Sequence, residues 1–202
     1  MSNNKNAKNI KVIVIAISVL VVLAILFVLF GPKFGGLFNG GFGQGAANIN
    51  VVADNNELKE KLDIDVKEPE DAQGIVYGIE NDSIAVVRYK KKISSGQEMN
   101  FTMRSSYSTE DIDNSIGLLQ KDGKEVDFAY TPIMMTVICD DETEVPVESK
   151  VALDSENEDM RFMKALWFDN DKYYSMVTDN LVTREDFLQE VNRVIIANHI
   201  PF

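Results

Sequence analysis

The chain has 202 residues, of which 20 are basic and 32 acidic, and its formal net charge is −12. The first 33 residues contain four lysines and no acid, so the chain from residue 34 onward has 16 basic and 32 acidic residues, a net charge of −16. This excess of carboxylates disfavours nucleic acid as a binding partner, because proteins hold nucleic acid mainly through Lys and Arg. It also disfavours binding of the acidic part to an anionic lipid surface.

Residues 12–30, which begin with Val12 and end with Phe30, form an uncharged apolar run whose one hydroxyl belongs to Ser18. As a helix this run is roughly 28 Å long, close to the hydrocarbon thickness of a bilayer. The run is longer than the apolar core of a cleaved signal peptide. A cleavage site needs small residues close to the end of that core, and the nearest such stretch lies well beyond Phe30, at residues 45–47. We therefore predict an uncleaved transmembrane signal anchor that contacts membrane lipid. A cleaved signal peptide and a buried core helix are the alternatives.

Lysines flank the run unequally, and this sets the predicted orientation. Lys5, Lys8 and Lys11 precede it without any acid, whereas Lys33 alone lies in the twenty residues after it. Positive charge stays on the cytoplasmic side of a membrane. We expect residues 1–11 to be cytoplasmic and the C-terminal part to be extracytoplasmic.

A glycine-rich tether is predicted at residues 31–50, because residues 31–45 alone contain seven glycines. Apolar side chains interrupt it, and we expect them to contact the membrane interface or, alternatively, to pack on the following domain. Residues 51–202 have the size of one domain.

Alternation of apolar and polar residues predicts two antiparallel strands at 84–89 and 99–103, joined by a polar turn. The Asp122-Gly123 pair predicts the turn of a second hairpin. A short helix is predicted at 57–62, capped by Asn55 or Asn56. Further strands are predicted at 75–79, 133–139 and 145–153.

The C-terminal third has the clearest pattern. A strand at 161–168 contains Trp167, the only tryptophan, and a turn at 169–171 leads to a returning strand at 173–178. Thr183 is predicted to cap a final helix, with an apolar stripe that lies across the sheet. The predicted fold is α+β: one N-terminal transmembrane helix, and a curved antiparallel sheet flanked by an N-terminal and a C-terminal helix.

No catalytic residue, cofactor or metal site is predicted. The single cysteine, Cys139, lies in an apolar strand and is interpreted as a buried small hydrophobe. The single histidine, His199, is interpreted as a surface or helix-end residue. Acidic stretches at 140–144 and 154–159 are interpreted as solvated loops. Weak Ca²⁺ binding is the alternative for the second, which lacks the Gly and the final Glu of a calcium loop.

Three aromatic residues form the candidate binding surface: Trp167, Tyr173 and Tyr174. They lie on strands joined by a short turn, so we expect cross-strand neighbours among them. Packing within the sheet is the alternative. Five methionines on predicted strands are interpreted as an adaptable apolar cleft or as core filling. They are Met99, Met103, Met134, Met135 and Met163.

The stretch 165–174, with its Trp strand, polar turn and Tyr strand, is followed by a Thr-capped helix start at 183–188. This layout, together with 58–69 and the strands after it, resembles the uncharacterised bacterial domain family numbered 4367 among domains of unknown function. The resemblance implies an extracytoplasmic domain of Gram-positive bacteria, and it offers no catalytic residues. Some members carry an anti-sigma module inside the cell. The eleven residues before the apolar run are too few for one, so direct sigma inhibition is not expected.

These features together predict a single-pass membrane-anchored, extracytoplasmic binding or sensor domain without enzymatic activity. The expected partner is an envelope protein, peptide or polymer, and no nucleic acid. Two alternatives stay open: an envelope hydrolase that uses paired carboxylates, and a regulatory subunit whose transmembrane helix pairs with another membrane protein.

Overall fold

Antiparallel strands form most of the structure. The computed structural model describes residues 49–110, 112, 120–121, 124–125, 128–129, 131–153, 160–178 and 180–201. These residues contain two helices, α1 (Asn55–Leu62) and α2 (Arg184–Asn198). Their strands are β1 (Ile49–Val52), β2 (Gln73–Glu80), β3 (Ile84–Lys92), β4 (Glu98–Ser106), β5 (Gln120–Lys121), β6 (Lys124–Glu125), β7 (Ile133–Ile138), β8 (Glu144–Val151), β9 (Met160–Arg161), β10 (Met163–Asp169), β11 (Lys172–Thr178) and β12 (Val182–Thr183).

Eight strands form one sheet in the order β1-β2-β3-β4-β11-β10-β8-β7, and every neighbouring pair is antiparallel. The predicted α+β class with an antiparallel sheet and two helices is confirmed. The predicted membrane segment at 12–30 lies outside the described residues. Within the described part, neither helix combines the length and apolar character needed to cross a bilayer.

Two of the three predicted hairpins are present in the eight-stranded sheet. The strands β5 and β6, on either side of the predicted Asp122-Gly123 turn, pair in a separate two-stranded sheet, and the turn itself lies outside the described residues. β3 pairs with β4 from Ala85↔Ser105 to Lys92↔Glu98, and β10 pairs with β11 from Lys164↔Val177 to Asp169↔Lys172. The turn between β10 and β11 has Asn170 and Asp171 at positive φ, 49° and 60°. Two successive left-handed residues match the twist of the flanking strands, and Asn and Asp tolerate this conformation.

Side chains alternate between two faces of the sheet, and both helices cover one of them, which we call the helix face. Leu58 of α1 and the apolar stripe of α2 lie in the same core cluster as the odd-numbered residues of β3, β4 and β10. The α2 residues in this core are Phe187, Val191, Val194 and Ile195. The other side of the sheet, which we call the opposite face, carries a smaller cluster around Ile84, Val86, Ile112 and Val177.

Local signals predicted one helix start correctly and the other incorrectly. Thr183 caps α2 as predicted, since its hydroxyl accepts a hydrogen bond from the Asp186 N–H at 3.1 Å. The cap of α1 is Asp54, which accepts from the Glu57 N–H at 3.1 Å. The predicted caps, Asn55 and Asn56, both lie in the first turn, where the Asn55 side chain donates to Asp65 and accepts from the Val66 N–H.

Two strand predictions also needed correction. The predicted strand at 161–168 is divided into β9 and β10 at Phe162, because Arg161 pairs with Val182 of β12 rather than with the main sheet. β1 was not predicted, since four residues inside a polar, glycine-rich context give no clear alternation. It pairs with β2 and forms one edge of the sheet.

A buried polar cluster fastens α2 to the sheet. The Glu190 carboxylate lies 3.1 Å from the Lys91 Nζ and accepts a hydrogen bond from the Tyr89 hydroxyl at 3.0 Å. The exposed fractions of the Lys91 and Glu190 side chains are 3% and 2%. At the other end of α2, the Asn198 amide accepts from the Lys67 N–H and donates to the Lys67 carbonyl, both at 2.7 Å.

The Lys91–Glu190 pair predicts a large effect on stability. Replacing Lys91→Met leaves the Glu190 carboxylate buried without its closest cation, so we expect the free energy of unfolding to fall by about 3 kcal/mol. Urea unfolding followed by the fluorescence of Trp167 measures it. The control is Arg193→Ala, whose exposed guanidinium lies 3.7 Å from the same carboxylate and should cost less than about 1 kcal/mol. Equal losses in the two variants would contradict the prediction.

Candidate functional site

A groove with a volume of about 620 Å³ lies on the opposite face of the sheet, across β7, β8, β10 and β11. We call it the groove. Its lining residues are Thr109, Ile112, Met134, Pro146, Glu148, Lys150, Lys164, Leu166, Trp167, Phe168, Tyr173 and Tyr174. Most of them are the even-numbered residues of β7, β8 and β10, because alternate positions of a strand share one face.

The strand register arranges these side chains in rows across the sheet. One row joins Met134, Glu148 and Leu166, and the cross-strand pair Lys150 and Lys164 is displaced from it by two residues along β8 and β10. The Glu148 carboxylate lies 3.3 Å from the Lys150 Nζ, and the Lys164 Nζ lies 4.5 Å above the ring of Phe128. The groove therefore has an apolar floor and a charged end with two lysines.

All three predicted binding residues are among those that line the groove, but their side chains lie on two faces of the sheet. Trp167 and Tyr174 are cross-strand partners, as expected, with rings stacked at a centroid distance of 5.3 Å. They also belong to the core, with exposed fractions of 4% and 1%, and burial raises the pKa of the Tyr174 hydroxyl to about 12. Tyr173 has the opposite orientation and packs on Phe168 with a centroid distance of 4.8 Å, on the groove side.

Sequence reasoning missed most of the groove residues. Phe168 and Leu166 alternate with Trp167 along β10, and this period of two was sufficient to place them on the face opposite to the tryptophan. Of the five methionines, Met134 lines the groove and is 63% exposed, whereas Met99, Met103 and Met163 fill the core and Met135 packs against it. The cleft interpretation therefore holds for Met134 alone among these five.

The strand β7 forms the edge of the sheet beside the groove. The Cys139 N–H donates to the Thr143 carbonyl at 2.9 Å, and β7 pairs with β8 in continuous register from there. In an antiparallel pair, hydrogen-bonded residues alternate with residues whose backbone groups face away. The N–H and C=O groups of Met134, Thr136 and Ile138 therefore point away from β8.

This edge lacks the usual protection against pairing. Natural edge strands are commonly interrupted by Lys, Pro or a bulge. β7 contains none of these, and its exposed side chains include Met134 and Ile138, the latter 65% exposed. The proline of this region, Pro146, lies in β8, and the pairing of β8 with β10 extends only to Val147, the residue after Pro146. Among the described residues no strand other than β8 pairs with β7, so its outer edge offers both backbone groups and exposed side chains to a partner.

His199 forms a second cluster of functional groups, which we call the His199 clamp. Its Nδ1 lies 3.0 Å from an oxygen of Asp169, and its Nε2 lies 3.2 Å from an oxygen of Asp141. His199 ends α2, as predicted, but its side chain is only 4% exposed, so the expectation of a surface residue was wrong. The β7–β8 and β10–β11 turns converge on the end of α2, which no local sequence signal indicates.

The clamp is better suited to holding the turns than to nucleophilic chemistry. Cys139 is buried as predicted, and burial together with the nearby Asp169 and Asp141 raises the pKa of its thiol. The thiolate is the nucleophilic form of cysteine, so this thiol is a weak nucleophile near neutral pH. Among the described residues, no group of three or more His, Cys, Asp or Glu is arranged to hold a metal ion. The acidic stretch 154–159 lies outside those residues.

The His199 clamp predicts a defined pH dependence. Burial lowers the pKa of His199, but its hydrogen bonds with Asp169 and Asp141 outweigh this and leave the pKa above its ordinary 6.5. The resulting stabilisation is complete below about pH 6.5 and is lost as the pH rises through the folded-state pKa. Hydrogen bonds from Thr143, more than the contact with His199, hold the pKa of Asp141 below its ordinary 3.8. That contribution is present above about pH 3.8 and is lost as the pH falls through the folded-state pKa.

We therefore expect the substitution His199→Gln to lower Tm more at about pH 5.5 than at about pH 8.5. Thermal unfolding of the two proteins at both pH values measures the difference. The control is Glu185→Gln, an exposed change in the first turn of α2, which leaves the clamp intact. If His199→Gln lowered Tm equally at both pH values, the prediction that protonated His199 stabilises the clamp would be contradicted.

Comparisons of the chain with family models, with curated proteins and with solved structures give no match. The resemblance to the bacterial family numbered 4367 among domains of unknown function therefore stays a prediction.

Proposed function

We propose that the chain is a single-pass membrane protein that presents a non-enzymatic binding or sensor domain outside the cell, with the groove as its ligand site. The observation that carries this proposal is the groove itself, a concave surface of about 620 Å³ with an apolar floor on a sheet face that the two described helices leave uncovered. Clefts of this size with an apolar lining and a few polar groups are the usual form of ligand sites.

The groove also indicates what kind of ligand fits. Phe168, Leu166, Pro146 and Met134 offer apolar contact, while Glu148, Lys150 and Lys164 offer polar groups at one end, where Glu148 already pairs with Lys150. An apolar segment of an envelope protein, peptide or polymer matches this lining.

The chemistry of the described residues supports binding rather than catalysis. Both ring nitrogens of His199 already contact carboxylates, and the raised pKa of the Cys139 thiol keeps it protonated. A carboxylate hydrolase needs an acid whose pKa is raised. The described carboxyl groups whose pKa is displaced are all displaced downward, namely those of Glu57, Asp65, Asp141 and Asp186.

The location outside the cell is supported by the sequence. The apolar run at 12–30 has the length of a membrane span, and Lys5, Lys8 and Lys11 precede it.

Site-specific photo-cross-linking tests the proposal. A benzophenone amino acid at position 168, which replaces the exposed Phe168 in the groove, should give a ligand adduct in cells that carry the full chain. The same amino acid at position 200 is the matched control, because Ile200 is similarly exposed but lies past the end of α2. An adduct from position 168 alone is expected.

Identical adducts from the two positions, or none from position 168, would contradict the groove as the ligand site. The membrane arrangement is checked in the same cells. Protease added to intact cells should degrade residues 51–202, and a protected domain would contradict the proposed location.

A further inference from the structure

We infer that the free edge of β7 pairs with β7 of a second copy of this chain, so that two sheets join into one continuous antiparallel sheet. This interface shares Met134 with the groove but goes beyond the proposed ligand binding, because it needs no ligand. The inference rests on three features of β7: the direction of its backbone groups, the symmetry of its exposed side chains and the acidic turn that follows it.

The backbone of β7 is arranged for self-pairing. Its outward N–H and C=O groups belong to Met134, Thr136 and Ile138, which are evenly spaced with Thr136 at the centre. When two such strands meet antiparallel around a twofold axis, Thr136 lies opposite Thr136 of the second copy. Met134 then lies opposite Ile138 of the second copy. All outward groups become hydrogen-bonded in this register.

The exposed side chains complement one another in the same register. Met134 and Ile138 are 63% and 65% exposed and would bury their apolar surface against each other across the strand pair. The central Thr136 side chains would face each other, and Thr–Thr pairs are favourable on a sheet surface. A shift by one residue would place the inward groups of β7 at the interface, and a shift by two would leave one of the three outward residues of each strand without a counterpart among them, so the register centred on Thr136 pairs the most groups.

Charge fixes the direction of the second strand. The turn after β7 carries the exposed acids Asp140 and Glu142. Antiparallel pairing places the acidic turns of the two copies at opposite ends of the joined strands. Parallel pairing would place acidic turn against acidic turn. The net negative charge of both copies opposes association, but salt screens that repulsion over about 8 Å at physiological ionic strength.

Disulfide trapping tests this register. The Cα atoms of a hydrogen-bonded antiparallel pair lie about 5.5 Å apart, which is within the range that a disulfide spans. The variant Thr136→Cys in the full chain, oxidised in the membrane with diamide, should form at least about ten times more covalent dimer than the variant Val51→Cys. Val51 is likewise exposed and lies on β1, at the other edge of the same sheet. The native Cys139 is buried and common to both variants.

A second pair of variants separates the proposed register from chance collision. Met134→Cys alone and Ile138→Cys alone should give little dimer, since each residue would lie roughly 13 Å or more from its own counterpart. The two variants expressed together should form a mixed disulfide. Equal dimer from Thr136→Cys and Val51→Cys, or from Met134→Cys alone and the mixture, would overturn the inference.

The same experiment identifies another occupant of this edge. A Thr136→Cys adduct with a different polypeptide, in place of the dimer, would show that β7 receives a strand from a partner and would overturn self-pairing. The groove proposal is decided separately, because cross-linking from position 168 does not depend on the dimer.

Discussion

The alternation of side chains along β10 and β11 is the constraint on which the rest of the structure depends. Because successive residues point to opposite faces, Trp167 and Tyr174 enter the core under the helices, and Phe168 and Tyr173 must face the other way. The apolar stripe of α2 needs one buried face, and the Lys91–Glu190 pair fixes the helix there. The opposite face near β7 and β8 is therefore left for other contacts.

Two features of β8 shape that surface. Pro146 has no N–H, so the ladder between β8 and β10 ends beside it, where the groove has its apolar floor. In the neighbouring strand β7, the backbone groups of the odd-numbered residues form the hydrogen bonds with β8. The backbone groups of the even-numbered residues therefore face the open edge of the sheet. The His199 clamp meanwhile holds the β7–β8 turn against the end of α2. An edge strand and a concave face thus lie side by side.

Local sequence patterns were sufficient for part of this structure. The β3–β4 hairpin, the β10–β11 hairpin, the Thr183 cap and the buried Cys139 follow from periodicity, turn residues and hydropathy. The His199 clamp does not, because its groups come from positions 141, 169 and 199 and meet only through the order of the sheet. The edge position of β7 likewise depends on the pairing of β4 with β11, which no neighbouring residues encode.

Fluorescence quenching gives the most direct test of the division between the two faces. The protein contains a single tryptophan, Trp167, and the account predicts that acrylamide hardly quenches it. In the double variant Trp167→Phe with Phe168→Trp, the tryptophan moves by one residue to the groove, and acrylamide should quench it strongly. Equal quenching of the two proteins would contradict the division of faces, and with it the assignment of the groove as an accessible site.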